Sequence, residues 1–305
     1  MKNNFIHLHL HSEYSISDSL IRISDLVEKV SDRKSPSVSI TDHNNIFSLV
    51  KFYKKAIKNG IKPIIGIEID IKDTESSNES FRIVLLCKNI IGFNNLSNLI
   101  TDSYVNLNEN NKFVVLKDDL MKRSEGLIVL SGGIYGDLAH AIKSGKNDLI
   151  ESSINYWKKN FSNNYYIEIT RTGKDFEDEY IAQALDISEK YNIPIVASND
   201  VRFINKEDFQ AHEVRVCINN GTYLKDEKRK SEYNENQYLK SSSEMEELFS
   251  DIPSAIENSI EIAKRCNVQL ALGDIAMPIF PLEDNQDENE YFDSLVTQSL
   301  NKKLS

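Results

Sequence analysis

FIHLHLHS, residues 5–12, places His7, His9 and His11 at every second position of an apolar run. Alternate residues of a β-strand point to the same face, so this spacing predicts three imidazoles along one face of a first strand. The C-terminal ends of barrel strands are where α/β barrels carry their chemistry. Half of the 6 histidines in 305 residues fall in this one stretch, which points to a metal site.

Further strand-like runs, rich in Ile and Val, follow at about 36–41, 62–71, 81–88, 126–131, 164–170 and 193–199, after a first at 4–11. Helical periodicity fills the intervals. In 45–59, Ile46, Leu49, Val50, Tyr53, Ala56 and Ile57 recur at three- and four-residue spacing and Gly60 ends the run. A second such run spans 175–191. Repeated β-then-α units predict parallel strands with helices outside, and the number of strands favours a barrel over an open sheet.

Beyond residue 200 the pattern changes. A helix is expected over 207–219, followed by a polar, turn-rich stretch at 220–242. SSSEMEELF carries a capping box read as Ser243 and Glu246, and another helix is expected at about 253–265. LGDIAMPIFPLEDNQDENE reads as a linker. In 288–304, Phe292, Leu295, Val296, Leu300 and Leu304 fall at helical spacing, and such an uncovered apolar face at the chain end is expected of a piece of something longer.

The formal net charge of −11 argues against unaided duplex binding, which depends on cationic side chains displacing counterions. The basic run Lys225–Lys230 is diluted by Asp226 and Glu227 and reads as a solvated loop. Three separated cysteines, Cys87, Cys217 and Cys266, make neither a disulfide framework nor a zinc knuckle. The opening residues lack the apolar run of a signal peptide, and no stretch approaches a membrane span, so a cytoplasmic location without membrane partners is expected.

Candidate ligands collect at strand ends: His9 and His11, Asp18 in the next loop, Asp42-His43 after SIT, Glu68 in GIEID and Asp200 in SND. Imidazole nitrogens and carboxylate oxygens are the usual ligands of Zn, Mn and Fe. Clustered ions could activate water and clamp a phosphodiester. His140 in GDLAHAIKSG and His212 in DFQAHEVRV lie on helical stretches and read as structural.

FIHLHLHSEYS (5–15), SITDHNNIFSLVKFYKKA (39–56), GIKPIIGIEI (60–69), GLIVLSGG (126–133), SNDVRFINKEDFQAHEVRV (198–216) and AKRCNV (263–268) together resemble the PHP (polymerase and histidinol phosphatase) domain at the N-terminus of bacterial replicative polymerase alpha subunits. The resemblance runs in order over about residues 4–280. It implies an α/β fold, a distorted (β/α)7 barrel, over 1–280, with 281–305 a linker and the first helix of a polymerase palm region. Of the family's ligand positions, His9, His11, Asp18, His43, Glu68 and Asp200 match. Asp42 is implied to stand behind the ligands, and His7 just outside the His9–His11 pair. Three positions depart: Arg82 and Arg202 stand where histidines are expected, and Gly133 where a cysteine or histidine is expected.

Arginine is always protonated and offers no lone pair to a metal. Arg82 and Arg202 are therefore expected to replace the ions and to pair with Asp18, Glu68 and Asp200, which would be costly to leave buried and unpaired. The expectation is a site without catalysis and without metal, the alternative being a Zn, Mn or Mg ion at reduced stoichiometry on His9, His11 and Glu68. In the family, a degenerate site of this kind accompanies a separate proofreading exonuclease subunit docked on the domain. The resemblance thus implies that partner, other replicase subunits, and DNA-directed DNA synthesis with Mg in a palm that lies outside these residues. An active metal-dependent 3′–5′ exonuclease or phosphoesterase is the competing reading. An amidohydrolase-type barrel also uses HxH on its first strand, but needs histidines on middle strands that VLLCK, GLIVLSGG and YYIEITRT lack.

Overall fold

A computed structural model describes residues 5–77, 79–107, 113–226, 229, 231–273, 275, 277–278, 280–282 and 286–304. Its centre is a curled sheet built of β1 (Ser37–Ile40), β2 (Lys62–Lys72), β3 (Phe81–Cys87), β5 (Leu127–Leu130), β6 (Tyr165–Thr170) and β7 (Ile195–Ser198) in that spatial order. A two-residue strand, β4 (Val115–Leu116), pairs with β2 alongside this path and was not legible in the sequence. Helices α1 (Ile23–Asp32), α2 (Leu49–Lys58), α3 (Ile90–Val105), α6 (Asn147–Phe161), α7 (Glu177–Tyr191) and α10 (Pro253–Arg265) fall between or after the strands, joined by the shorter α4 (Lys117–Lys122), α5 (Asp137–Lys143) and α9 (Ser242–Leu248).

The expected first strand is not a regular strand. Residues 5–11 run extended between β1 and the segment after β7. Ser39 N donates to His7 O (2.9 Å) and Thr41 N to Leu10 O (2.8 Å), a slip of one residue that breaks the ladder. On the other side, His11 N donates to Val201 O (2.9 Å) and Val201 N to His9 O (3.2 Å). This segment joins the two edges of the sheet and closes it into a distorted barrel. Leu8 and Leu10 are fully buried in the flanking clusters, which hold it in place.

The sheet is also not wholly parallel. β1–β2, β5–β6 and β6–β7 are parallel, but β3 runs antiparallel to both β2 and β5. A parallel crossover needs a dozen or more residues, and the link from β2 to β3 is a short turn region without a helix.

The later helices fall close to their expected places: α8 at Phe209–Asn220, α10 at Pro253–Arg265 and α11 at Glu288–Leu304. The capping box, however, is formed by Ser241 and Glu244, two residues earlier than the Ser243–Glu246 pair, because α9 starts at Ser242. Of the 225–230 run, residues 227, 228 and 230 lie outside the described residues, while Arg229 pairs with the buried Glu213. The three cysteines are buried and free. Met1–Gln269 form one compact unit and Leu270–Ser305 a second, containing α11. Among the described residues no helix is long and apolar enough to cross a membrane.

Candidate metal centre

The closing segment delivers His9 and His11 to the mouth of the barrel. Both rings are buried, with Nε2 atoms 3.2 Å apart. His9 Nδ1–H donates to Glu168 Oε1 (2.8 Å) and its Nε2 lies 3.3 Å from Glu68 Oε1. Burial alone would lower the His9 pKa, but Glu168, Glu68 and Asp200 outweigh it and lift it to about 10. His11 moves the other way: burial and the Arg202 charge hold it well below the usual range. A charged His9 therefore donates from Nε2 to a neutral His11. His11 Nδ1–H in turn donates to Ser15 Oγ (3.2 Å), and Ser15 donates to Asp42 Oδ1 (2.7 Å). Asp42 also accepts from Ser12 and Ser48, and reaches His11 through Ser15.

His7 does not join them. Its Nε2–H donates to the Lys240 carbonyl (2.8 Å), and burial pulls its pKa down to about 4, so it is a neutral ring at the opposite end of the segment. The slipped pairing of the segment breaks the alternation that predicted three imidazoles on one face.

The remaining ligand candidates converge. His43, after β1, lies 3.6 Å from Asp18 Oδ2 and 3.2 Å from Asp70 Oδ2. Glu68 projects from β2 and is buried; despite the cost of burial, Arg82, His11, His9 and Arg202 hold its carboxyl well below the usual range. Asp200, at a positive φ of 44°, follows β7. Burial would raise its pKa, but Arg202, His9 and Lys174 depress it instead. Both Nε (2.8 Å) and Nη2 (2.7 Å) of Arg202 meet Asp200 Oδ1. The same guanidinium is 3.6 Å from Asp18 Oδ2, 3.9 Å from Glu68 Oε2 and over the Tyr233 ring, with 1% of its side chain exposed. Arg82, from β3, comes within 3.7 Å of both Glu68 Oε2 and Asp70 Oδ1.

Gly133 lies three residues beyond β5, at φ +55°, and a Cβ there would meet nothing closer than Thr170 Oγ1 at 3.9 Å. Space therefore does not demand glycine; the backbone conformation favours it. His212 is structural, donating from Nε2 to the Asp18 carbonyl (2.9 Å), whereas His140 lies at the surface beside Glu79.

Sequence reasoning missed Glu168, Asp70, Lys174, Tyr233 and Gln237. Glu168 had a signal, a lone acid in the apolar strand YYIEIT. Tyr233 and Gln237 had none: they come from the polar 220–242 stretch. Tyr233 OH donates to Asp18 Oδ1 (2.8 Å) and Gln237 Nε2 to Asp200 Oδ2 (2.7 Å).

His9, His11 and Glu68 offer ligand atoms within 4.8 Å of one another, a set that could hold one ion. A multi-ion cluster does not fit these residues. Asp200 Oδ1 is occupied by Arg202, Glu68 is shared between two guanidinium groups, and Gly133 brings no donor atom.

The PHP domain model matches residues 7–172. The chain is 41% identical over 305 residues to the DNA polymerase III subunit alpha of Pseudomonas fluorescens, covering all of this chain and 26% of that protein. It is 43% identical over 277 residues to the subunit of the same name from Vibrio cholerae, covering 91% of this chain and 24% of that one. The chain thus spans about a quarter of the length of these relatives. A solved amidohydrolase from Chromobacterium violaceum, with bound sulfate and no metal, aligns over 69% of this chain and 96% of its own at a TM-score of 0.46 and 12% identity. With the PHP match spanning more than half of its residues, the chain belongs to the PHP domain family.

Proposed function

We propose that this chain is the PHP domain of a replicative DNA polymerase III alpha subunit in which tethered cations have replaced the metal cluster. The domain serves as a scaffold and docking unit, and the proofreading exonuclease subunit is its partner. The observation that carries this reading is Arg202: a fully buried guanidinium bonded to Asp200 and within 4 Å of Asp18 and Glu68. Ions placed among those carboxylates would meet its positive charge at close range. Residues 281–305 then begin the palm region, and DNA-directed DNA synthesis, with its Mg ions, belongs to the full-length polymerase.

A second reading, a metal-dependent 3′–5′ exonuclease or phosphoesterase, draws on the His9–His11–Glu68 set. One experiment separates the two. Plasma-emission metal analysis of the purified chain, with and without EDTA, is paired with a Mn-supplemented assay for nucleotide release from a primer. The scaffold reading expects less than one ion per chain, no release, and retention of an exonuclease subunit in a pull-down. Two or more stoichiometric ions, with release abolished by His9→Ala, establish the nuclease instead.

A further inference from the structure

Lys174 is a charged residue that neither the ligand pattern nor the family resemblance singles out, yet it reaches into the site from the loop between β6 and α7. Its Nζ lies 3.7 Å from Asp200 Oδ2 and donates to Tyr135 OH (2.8 Å). It also stands over the rings of Tyr135 (4.9 Å) and Tyr233 (5.8 Å), with 13% of its side chain exposed. A surface lysine with solvent available does not ordinarily give up its hydration for two aromatic faces and a buried carboxylate.

Two spaces meet at this side chain. On one side is an open cleft of about 700 Å³ lined by Arg82, Arg202 and Tyr233. On the other is a space of about 10 Å³, room for one water at most, lined by His9, Gly133 and Glu168. Tyr135, Lys174 and Asp200 line both. Glu168, whose Oε2 is fully buried and without a hydrogen-bond partner, lines the inner space. The lysine lines both spaces beside Asp200, so an ion approaching Asp200 from the cleft meets its charge at close range.

The loop that delivers Lys174 is organised by one buried acid. Glu177, at the first turn of α7, accepts from Thr170 Oγ1, Thr172 N, Thr172 Oγ1, Gly173 N and Lys174 N, at 2.7–3.2 Å. It is 3% exposed, and these hydrogen bonds all run to residues 170–174. Five donors on one carboxylate fix the backbone of 172–174, and with it the direction in which Lys174 leaves the loop. Phe176, at a φ of 74°, turns the chain from this loop into the helix.

We propose that Lys174 is a third tethered cation of the site, barring divalent ions from Asp200 and Glu168, and that Glu177 is its positioning residue. This inference rests on the scaffold reading and extends it: the loop after β6 joins the two arginines in making the site refractory to metal.

The test is Mn binding to the folded chain, followed by the loss of the free-Mn electron spin resonance signal. The unsubstituted chain is compared with Lys174→Met, Lys174→Arg and Glu177→Gln, and hydrogen exchange of residues 171–176 is measured alongside. Even with water-like screening, removing a unit charge about 5 Å from a dication tightens its binding roughly tenfold. Lys174→Met is expected to gain at least that factor, and Lys174→Arg to retain the weak binding of the unsubstituted chain. Glu177→Gln is expected to speed exchange across the loop and to tighten Mn in the same direction. If Lys174→Met does not fold, Glu177→Gln decides, since it keeps the lysine and loosens only its support. Equal Mn binding by the folded Lys174→Met and unsubstituted chains overturns the inference, as does unchanged exchange and Mn binding in Glu177→Gln. Stoichiometric binding of two or more ions by the unsubstituted chain is a different result, and overturns the scaffold reading itself.

Discussion

Arg202→Met is the most direct perturbation of the charge arrangement. Methionine keeps much of the stem and removes the guanidinium. Asp200 Oδ1 then loses both of its arginine bonds, Asp18 keeps His43 and Tyr233, and Glu68 keeps Arg82 and the imidazoles. Breaking a buried ion pair by removing one partner costs about 3–5 kcal/mol, because the other charge stays behind. The remaining cations soften the loss, so we expect the lower part of that range. That is a large fraction of the roughly 5–15 kcal/mol that holds an ordinary domain together. The pH dependence gives a signature that a packing defect lacks. In the native protein Glu68 and Asp200 titrate below their ordinary values, so they contribute stability above about pH 4 that is lost as pH falls through the folded values. Without Arg202 that contribution shrinks, so the deficit of the variant is largest at neutral pH and narrows on acidification. Urea unfolding at pH 7 and pH 2, followed by the fluorescence of the single tryptophan, Trp157, measures both quantities. A variant within about 1 kcal/mol of the native protein at pH 7 refutes the reasoning, as does a deficit that is the same at both pH values.

Two further outcomes follow from the same structure. The His9 pKa is raised to about 10, so its stabilising contribution is complete below the unfolded value near 6.5 and declines as pH rises toward 10. Lys240, lowered to about 8, opposes this at higher pH, and His43, also raised, adds to it, so His9 is read at pH 6.5–8 from the difference between the native chain and a His9 variant. There His9 should contribute a loss of roughly 1–2 kcal/mol in denaturant titrations, by which His9→Gln reduces the slope. Away from the site, a Cβ on Gly92 would lie 2.0 Å from the Gly126 carbonyl oxygen, where α3 begins against the turn into β5. Gly92→Ala should therefore cost roughly 1–3 kcal/mol in thermal or urea unfolding with no change in Mn binding.

Ligand-type residues were legible because their chemistry is distinctive and strand ends bring them together, which is why His9, His11, Asp18, His43, Glu68 and Asp200 converge as read. The alternation of strand and helix was legible for the same reason that periodicity is: it reports burial of one face. The antiparallel β3 was written in the sequence but not read. DTESSNES, between β2 and β3, is too short and too polar to hold a crossover helix, and that alone forces the reversal. The slip that separates His7 from His9 was not legible. It depends on Thr41 spending its side-chain oxygen on Leu10 N (3.0 Å), a contact between segments with no local signature. Tyr233, Gln237 and Lys174 were hidden for a related reason: they reach the site from irregular loops whose paths are set by distant partners such as Glu177.

If tethered cations stand in for metal as proposed, the acids explain why they take the form of arginine and lysine. Glu68 and Glu168 lie on strands packed on both faces, and each carries a share of the network that fixes His9. An ion neutralises such a cluster only at the concentration its affinity requires, and metal-linked stability falls when the ion is withdrawn. A guanidinium on the chain neutralises the same carboxylates at a local concentration set by covalent attachment, independent of metal supply. The exchange gives up the Lewis acid and keeps the electrostatic balance, with Arg202 on Asp200, Arg82 on Glu68 and Asp70, and protonated His9 on Glu168. On the scaffold reading proposed above, that balance is the property worth keeping. On the same reading, it is why His9, His11, Asp18, His43, Glu68 and Asp200 persist beside Arg82, Gly133 and Arg202.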